Sequence, residues 1–268
     1  MNRIFFISVL ALPMVVQAGE TEFTGNVGVV SDYTFRGISQ NFRSPALQGG
    51  FDYAHDSGLF LGTWASNISG NQYTNASLEW DVYGGYNGKV NDDLGYSVAV
   101  TSVFYPGGKT AATAPNKKWD TTELSAGVTF KGINVKYSYA LTDWYGIASA
   151  ANGGFEPTMW SNGATTADAA GANLSSKGSG YLEINYSYTF AEDVTLSLHA
   201  GHQKIKNFSL LSYTDYKIGI SKPYKGFTFA LNYTNTNATN NNLYHVSANG
   251  DSKNLRGGIL ALSVSFKN

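Results

Sequence analysis

No cysteine occurs anywhere in the chain, which excludes a disulfide framework and a lipid-modified N-terminal cysteine. Long hydrophobic runs are missing as well once the N-terminus is passed, so membrane-spanning helices are excluded. Charge is scarce: 14% of residues are charged and the net charge is −1, which leaves no basic footprint for nucleic acid. Arginine is nearly absent too. The whole chain has only Arg3, Arg36, Arg43 and Arg256, which argues against the Arg-lined tracks expected for acidic sugars or phosphate. The six prolines fall in the N-terminal segment or in predicted connections, where no ladder donor is lost.

Residues 1–18 read as a cleaved secretory signal. Arg3 supplies the positive start, Ile4–Val16 a short apolar run, and Val16-Gln17-Ala18 a small-residue cleavage site. That run is too short to anchor the chain in a bilayer. The remaining stretch, 19–268, has the length of one closed β architecture.

What is abundant is glycine (30) and tyrosine (18), and an alternation of apolar and polar residues that recurs to the C-terminus. The stretch Thr21–Gln40 sets the pattern. Phe23, Val27, Val29, Tyr33 and Phe35 share one face, and Asn26, Asp32, Thr34 and Arg36 the other. Read as one strand it is far longer than the typical 5–6 residues. Aromatics on the outer face and charges on the inner face suit lipid outside and water inside. Further strands are predicted at 45–54, 59–68, 77–88, 94–105, 121–131, 133–145, 180–190, 194–204, 213–222, 227–236 and 255–267. In the segment 59–68 the facing is open: either Phe60 and Trp64 or Leu59 and Leu61 point outward.

Connections alternate short and long, as the periplasmic turns and extracellular loops of membrane barrels do. The longest connection is 146–179. Phe23, Tyr53, Tyr86, Tyr96, Phe130, Phe190, Phe227 and Phe266 all fall beside the short turns, where an interfacial girdle belongs. The fold expected is therefore all-β: a transmembrane antiparallel up-and-down β-barrel of about twelve strands in a bacterial outer membrane. Its partners would be the lipid bilayer with its lipopolysaccharide, small hydrophilic solutes, and the barrel-assembly machinery acting on the C-terminal strand.

The run Ser31-Asp32-Tyr33-Thr34-Phe35-Arg36-Gly37-Ile38-Ser39-Gln40 resembles the opening signature of the TorF-type porins, a Gram-negative outer-membrane family also catalogued as the conserved hypothetical group Gcw_chp. Pro45-Ala46-Leu47-Gln48-Gly49, Trp64-Ala65-Ser66-Asn67, Glu79-Trp80-Asp81-Val82-Tyr83-Gly84-Gly85-Tyr86, Tyr105-Pro106-Gly107 and Tyr213-Thr214-Asp215-Tyr216-Lys217 follow in matching order. The resemblance implies an outer-membrane pore and names no transported molecule.

Inner faces carry Asp32, Asp52, Glu79, Asp81, Glu123, Glu183 and Asp215 against Arg36, Lys136, Lys217 and His199. Two readings stand side by side. The acidic excess could attract cations to the lumen, as charged rings do in pores. Equally, these residues could form a mutually neutralising network that fills the interior. Asp32 and Arg36, about 13 Å apart if they lie on one strand, would pair with neighbouring strands rather than with each other. No catalytic, metal or cofactor residue is expected. His245-Val246-Ser247 with Asn249-Gly250 superficially resembles the His/Ser spacing of outer-membrane phospholipases, but it sits in an Asn-rich predicted loop without a group to orient the histidine. The expected function is passive diffusion of small hydrophilic solutes with weak cation preference. The alternatives are a plugged barrel serving as scaffold or adhesin and, behind that, a lipid hydrolase.

Overall fold

The computed structural model describes residues 21–110, 117–149, 174–190, 193–238, 244–248 and 251–268. Residues 1–18, expected to be a signal, and most of the long 146–179 connection lie outside the described residues. Twelve strands close one antiparallel barrel in which each strand pairs with its sequence neighbours and the last returns to the first. They are β1 (Glu22–Val30), β2 (Ala46–Ala54), β3 (Leu59–Asn67), β4 (Leu78–Lys89), β5 (Leu94–Phe104), β6 (Thr121–Phe130), β7 (Ile133–Ala140), β8 (Gly180–Phe190), β9 (Val194–Lys204), β10 (Tyr213–Tyr224), β11 (Phe227–Thr236) and β12 (Ile259–Lys267). Closure runs from Asn26 opposite Lys267 to Val30 opposite Ser263.

The period-two pattern becomes the two surfaces of the wall. Along β8, Leu182, Ile184, Tyr188 and Phe190 are exposed while Tyr181 and Glu183 are buried in the interior. Outward Leu, Ile and Phe side chains contribute about 1.5–3 kcal/mol each once hydrocarbon rather than water covers them. The eight girdle aromatics are all exposed, six near short turns and Phe23 and Phe266 near the terminal ends of the first and last strands. Tyr86 and Tyr96 meet at 6.1 Å, and Phe227 and Phe266 at 5.9 Å. On β3 the open choice resolves: Leu59 and Leu61 face outward, and Trp64 is buried inside.

Short turns hold the register. Lys131-Gly132 and Lys225-Gly226 each place two successive residues at positive φ (47° and 84°; 50° and 83°), the turn whose twist matches a hairpin. That second turn corrects one expectation, because Pro223 lies inside β10, opposite Thr228, rather than in the connection. The ladder between β9 and β10 ends at Thr195 and Ser221, so the missing N–H of Pro223 points past the end of β9 and no bond is lost.

At the long-loop end the strands stop earlier than the alternation suggests. β1 ends at Val30 rather than Gln40, β7 at Ala140 rather than Tyr145, and β12 starts at Ile259 rather than Leu255. In each case the chain turns inward over the mouth: Tyr33, Tyr145 and Leu255 are buried. The segment His245–Ala248, expected as loop, forms a two-stranded hairpin with Asp251–Asn254.

Candidate functional site

After Val30 the chain leaves the wall and folds into the lumen. Thr34–Phe35 pairs with Ile38–Ser39, and Arg36-Gly37 makes the turn between them with φ of 44° and 81°. The alternation read as a long strand is the alternation of this small hairpin. Its faces are therefore not lipid and water: Tyr33 is fully buried and donates its hydroxyl to Glu79 Oε1 at 2.7 Å. The tip packs against the wall at β10 and β11, since a Cβ added to Gly37 would sit 2.7 Å from Asp215 Cβ and 3.1 Å from Thr236 Cβ. Only glycine combines that backbone with that approach.

Arg36 is thus carried on the hairpin and not on a strand, and it is the pivot of the interior. Its guanidinium donates to both carboxylate oxygens of Glu123, at 2.9 and 2.6 Å, and to Gln203 Oε1 at 2.7 Å. It also lies over the rings of Tyr181 and Phe35, at 4.1 and 4.7 Å. A planar fork answered by a carboxylate and by ring faces is the arrangement arginine suits best. Asp32 does not reach Arg36. It accepts from the Ser39 hydroxyl at 2.6 Å and faces Arg43 at 3.8 Å, and burial leaves its carboxyl above the usual range despite those two partners.

The wall formed by β6–β10 continues the pairing. Lys136 meets Glu183 Oε1 at 2.8 Å, and Asn185 donates to Glu183 Oε2 at 3.0 Å. His199 bridges Asn185 Oδ1 at 2.7 Å and Asp215 Oδ2 at 2.9 Å, while Tyr181 donates to Asp215 Oδ1 at 2.9 Å. Gly201 makes room for this: a Cβ there would lie 2.0 Å from the Tyr181 oxygen. Lys217, on the same strand as Asp215, sits in the attraction of Glu183 and Asp215.

The wall formed by β2–β5 is different. Asp52 accepts from Tyr83 at 2.6 Å. Glu79 is 3% exposed and accepts from two phenols, Tyr33 and Tyr105, each at 2.7 Å. Asp81 is 6% exposed, and its Oδ1 has no hydrogen-bond partner among the described residues. Among the described residues no lysine or arginine answers these three acids. The one basic residue on the inner side of β2–β5, Lys89, stands at the exposed short-turn end.

Two cavities lie inside. The larger, about 150 Å³, is lined by nine of the eleven lumen candidates: Asp32, Arg36, Asp81, Glu123, Lys136, Glu183, His199, Asp215 and Lys217. Asp52 sits apart under Tyr83, and Glu79 is sealed behind its two phenols. The smaller, about 50 Å³, lies at the long-loop end and is lined chiefly by aromatic rings, among them Tyr73, Trp119, Trp144, Tyr213 and Tyr244. Phe35 and Tyr145, in edge-to-face contact at 5.8 Å, line both. The phenols are what sequence reasoning passed over. Tyr83 follows Asp81 by two and Tyr181 precedes Glu183 by two, so each shares an inner face with an acid it was never paired with.

Residues 16–256 match a family described as a bacterial protein of unknown function, Gcw_chp. No curated protein sequence matches the chain. Among solved structures, the NanC porin superposes with a TM-score of 0.53 at 11% identity, covering 91% of this chain and 99% of that one. The KdgM porin gives 0.49 at 9% identity, with 91% and 98% covered. OprD of Pseudomonas aeruginosa gives 0.37 at 13%, with 92% and 66% covered. At such identities the likeness is one of fold, and NanC carries it. The TorF label is borne by none of these matches, whereas the conserved group is: the chain belongs to the Gcw_chp family of bacterial proteins of unknown function.

Proposed function

We propose that the barrel is an outer-membrane channel for passive diffusion of small hydrophilic solutes, narrowed by the hairpin around Arg36 and weakly selective for cations. The mechanism has no covalent step; solutes pass a polar lumen whose charge sets preference. The observation that carries this reading is the internal chamber whose β2–β5 side presents Asp81, an acid that no lysine or arginine among the described residues meets within ion-pair distance. A carboxylate 4 Å from a passing ion is worth about 1 kcal/mol in water-like surroundings, a few-fold preference rather than strict exclusion. Arg36 and Lys136 answer the charges of Glu123 and Glu183 on β6–β10, so the bias rests more on the acid of the β2–β5 side.

Single-channel recording of the refolded protein under a salt gradient tests the proposal. Discrete conductance steps with a reversal potential on the cation side are expected. A second reading is favoured by the way the mouth is filled: the 31–45 segment and residues 144–148 are largely buried over the lumen. A folded, heat-modifiable barrel that never conducts would move the assignment to that plugged form.

A further inference from the structure

Asp81 lines the larger cavity, and behind that surface its Oδ1 is buried with no hydrogen-bond partner among the described residues. A buried carboxyl left in that state stays ionised only when a cation meets it; otherwise it takes up a proton. The neighbouring stretch of wall shows what kind of partner this lumen holds. There the chain's own organic cation, the Arg36 guanidinium, sits against a carboxylate and over two ring faces, Tyr181 at 4.1 Å and Phe35 at 4.7 Å. Asp81 has the carboxylate but not the cation; the rings that line its chamber are Phe35, Tyr145 and Tyr181, and a second layer of rings packs behind it. Its ladder partner is Trp64, Tyr83 follows two residues on along the same inner face, and Tyr33 stands edge-on to Trp64 at 5.4 Å.

The approach from the long-loop end is chemically matched. Among the described residues no charged one lines the smaller cavity, and Tyr73, Trp119, Trp144, Tyr145, Tyr213 and Tyr244 are six of its eleven lining residues. Gln72, also on that lining, has a buried Oε1 without a hydrogen-bond partner among the described residues. Tyr145 belongs to both cavities, so a cation leaving the aromatic one passes a ring before reaching the chamber of Asp81. Ring faces attract cations, and they do so best for those that hold water loosely. Na⁺ keeps its hydration shell, and a neutral sugar offers Asp81 no charge.

We propose that the lumen contains a subsite for small organic cations, guanidinium or alkylammonium, admitted through the aromatic cavity and bound at the Asp81 carboxylate. The proposal rests on the channel reading for its purpose, but not for its test. Tryptophan fluorescence of the folded, detergent-solubilised barrel is titrated with guanidinium at low, non-denaturing concentration and with tetramethylammonium, with NaCl and glucose as controls. A saturable change with both organic cations, at least tenfold weaker in Asp81→Asn, is expected; NaCl and glucose give none. Tyr145→Leu should weaken tetramethylammonium binding severalfold while leaving folding, read by heat-modifiable migration, intact. Equal titration of wild type and Asp81→Asn, or no difference between tetramethylammonium and Na⁺, overturns the subsite. Because binding is read without current, a silent barrel that binds both cations would fail the channel and keep the subsite, whereas a conducting barrel without binding does the reverse.

Discussion

Two walls of one lumen carry three inner-face acids each and handle them in opposite ways. On β6–β10, Glu123, Glu183 and Asp215 meet Arg36, Lys136 and His199 within ion-pair distance. On β2–β5, Asp52, Glu79 and Asp81 meet phenols or nothing. Counting inner-face charges therefore says little about the field a solute meets. Register decides which acids are silenced. The two readings of the interior, neutralised network and acidic attractor, are both present and are segregated by wall.

The paired wall should be the more sensitive to substitution. Glu123→Gln removes the charge held by the Arg36 fork, whose side chains are only 8% and 13% exposed. Breaking a pair so enclosed should cost about 3 kcal/mol, read as a lower urea midpoint, and should free the hairpin so that conductance rises. An unchanged midpoint would mean that the hairpin is held by its backbone alone. On the acidic wall the phenols take the place of cations. Tyr105→Phe leaves Glu79 with one donor and should cost about 1.5–3 kcal/mol by the same measurement; a neutral result would show that Glu79 does not depend on that bond.

A smaller effect belongs to neither wall and so calibrates both. Asp143, in the connection after β7, accepts from Lys117 and from the Ser175 hydroxyl. Burial alone would raise its carboxyl, but those hydrogen bonds outweigh it and hold the group below the ordinary value. With the folded pKa depressed, its contribution is complete above the unfolded carboxylate value of about 4 and fades as pH falls through the folded one. The gain is under about 1 kcal/mol for a pair this accessible. Protease cleavage in the connection 105–120 should accelerate only at the acid end of the range, and Asp143→Asn should flatten that dependence.

Most of the wall was legible because period-two alternation is a direct consequence of strand geometry: of the twelve predicted strands, most differ from the observed ones only at their ends. Thr21–Gln40 was misread for the same reason. A hairpin folded into the lumen alternates as a strand does, and Arg36-Gly37 was the turn signal inside it. Parity likewise assigned the inner residues but not their partners. Across the short turn at 191–193 a pair such as Asn185 and His199 follows from the hairpin, whereas Lys136 and Glu183 meet across the 141–179 connection, whose length leaves register open.

The division between the walls is tested most directly by reversal potential. Wild type is compared with the Glu79→Gln/Asp81→Asn variant and with the Lys136→Gln/Glu183→Gln variant under one salt gradient. The account predicts that the first variant loses the cation preference and that the second, which removes a neutral pair, leaves it nearly unchanged. A preference that survives in the first variant and disappears in the second would place the selectivity on the paired wall and contradict the account.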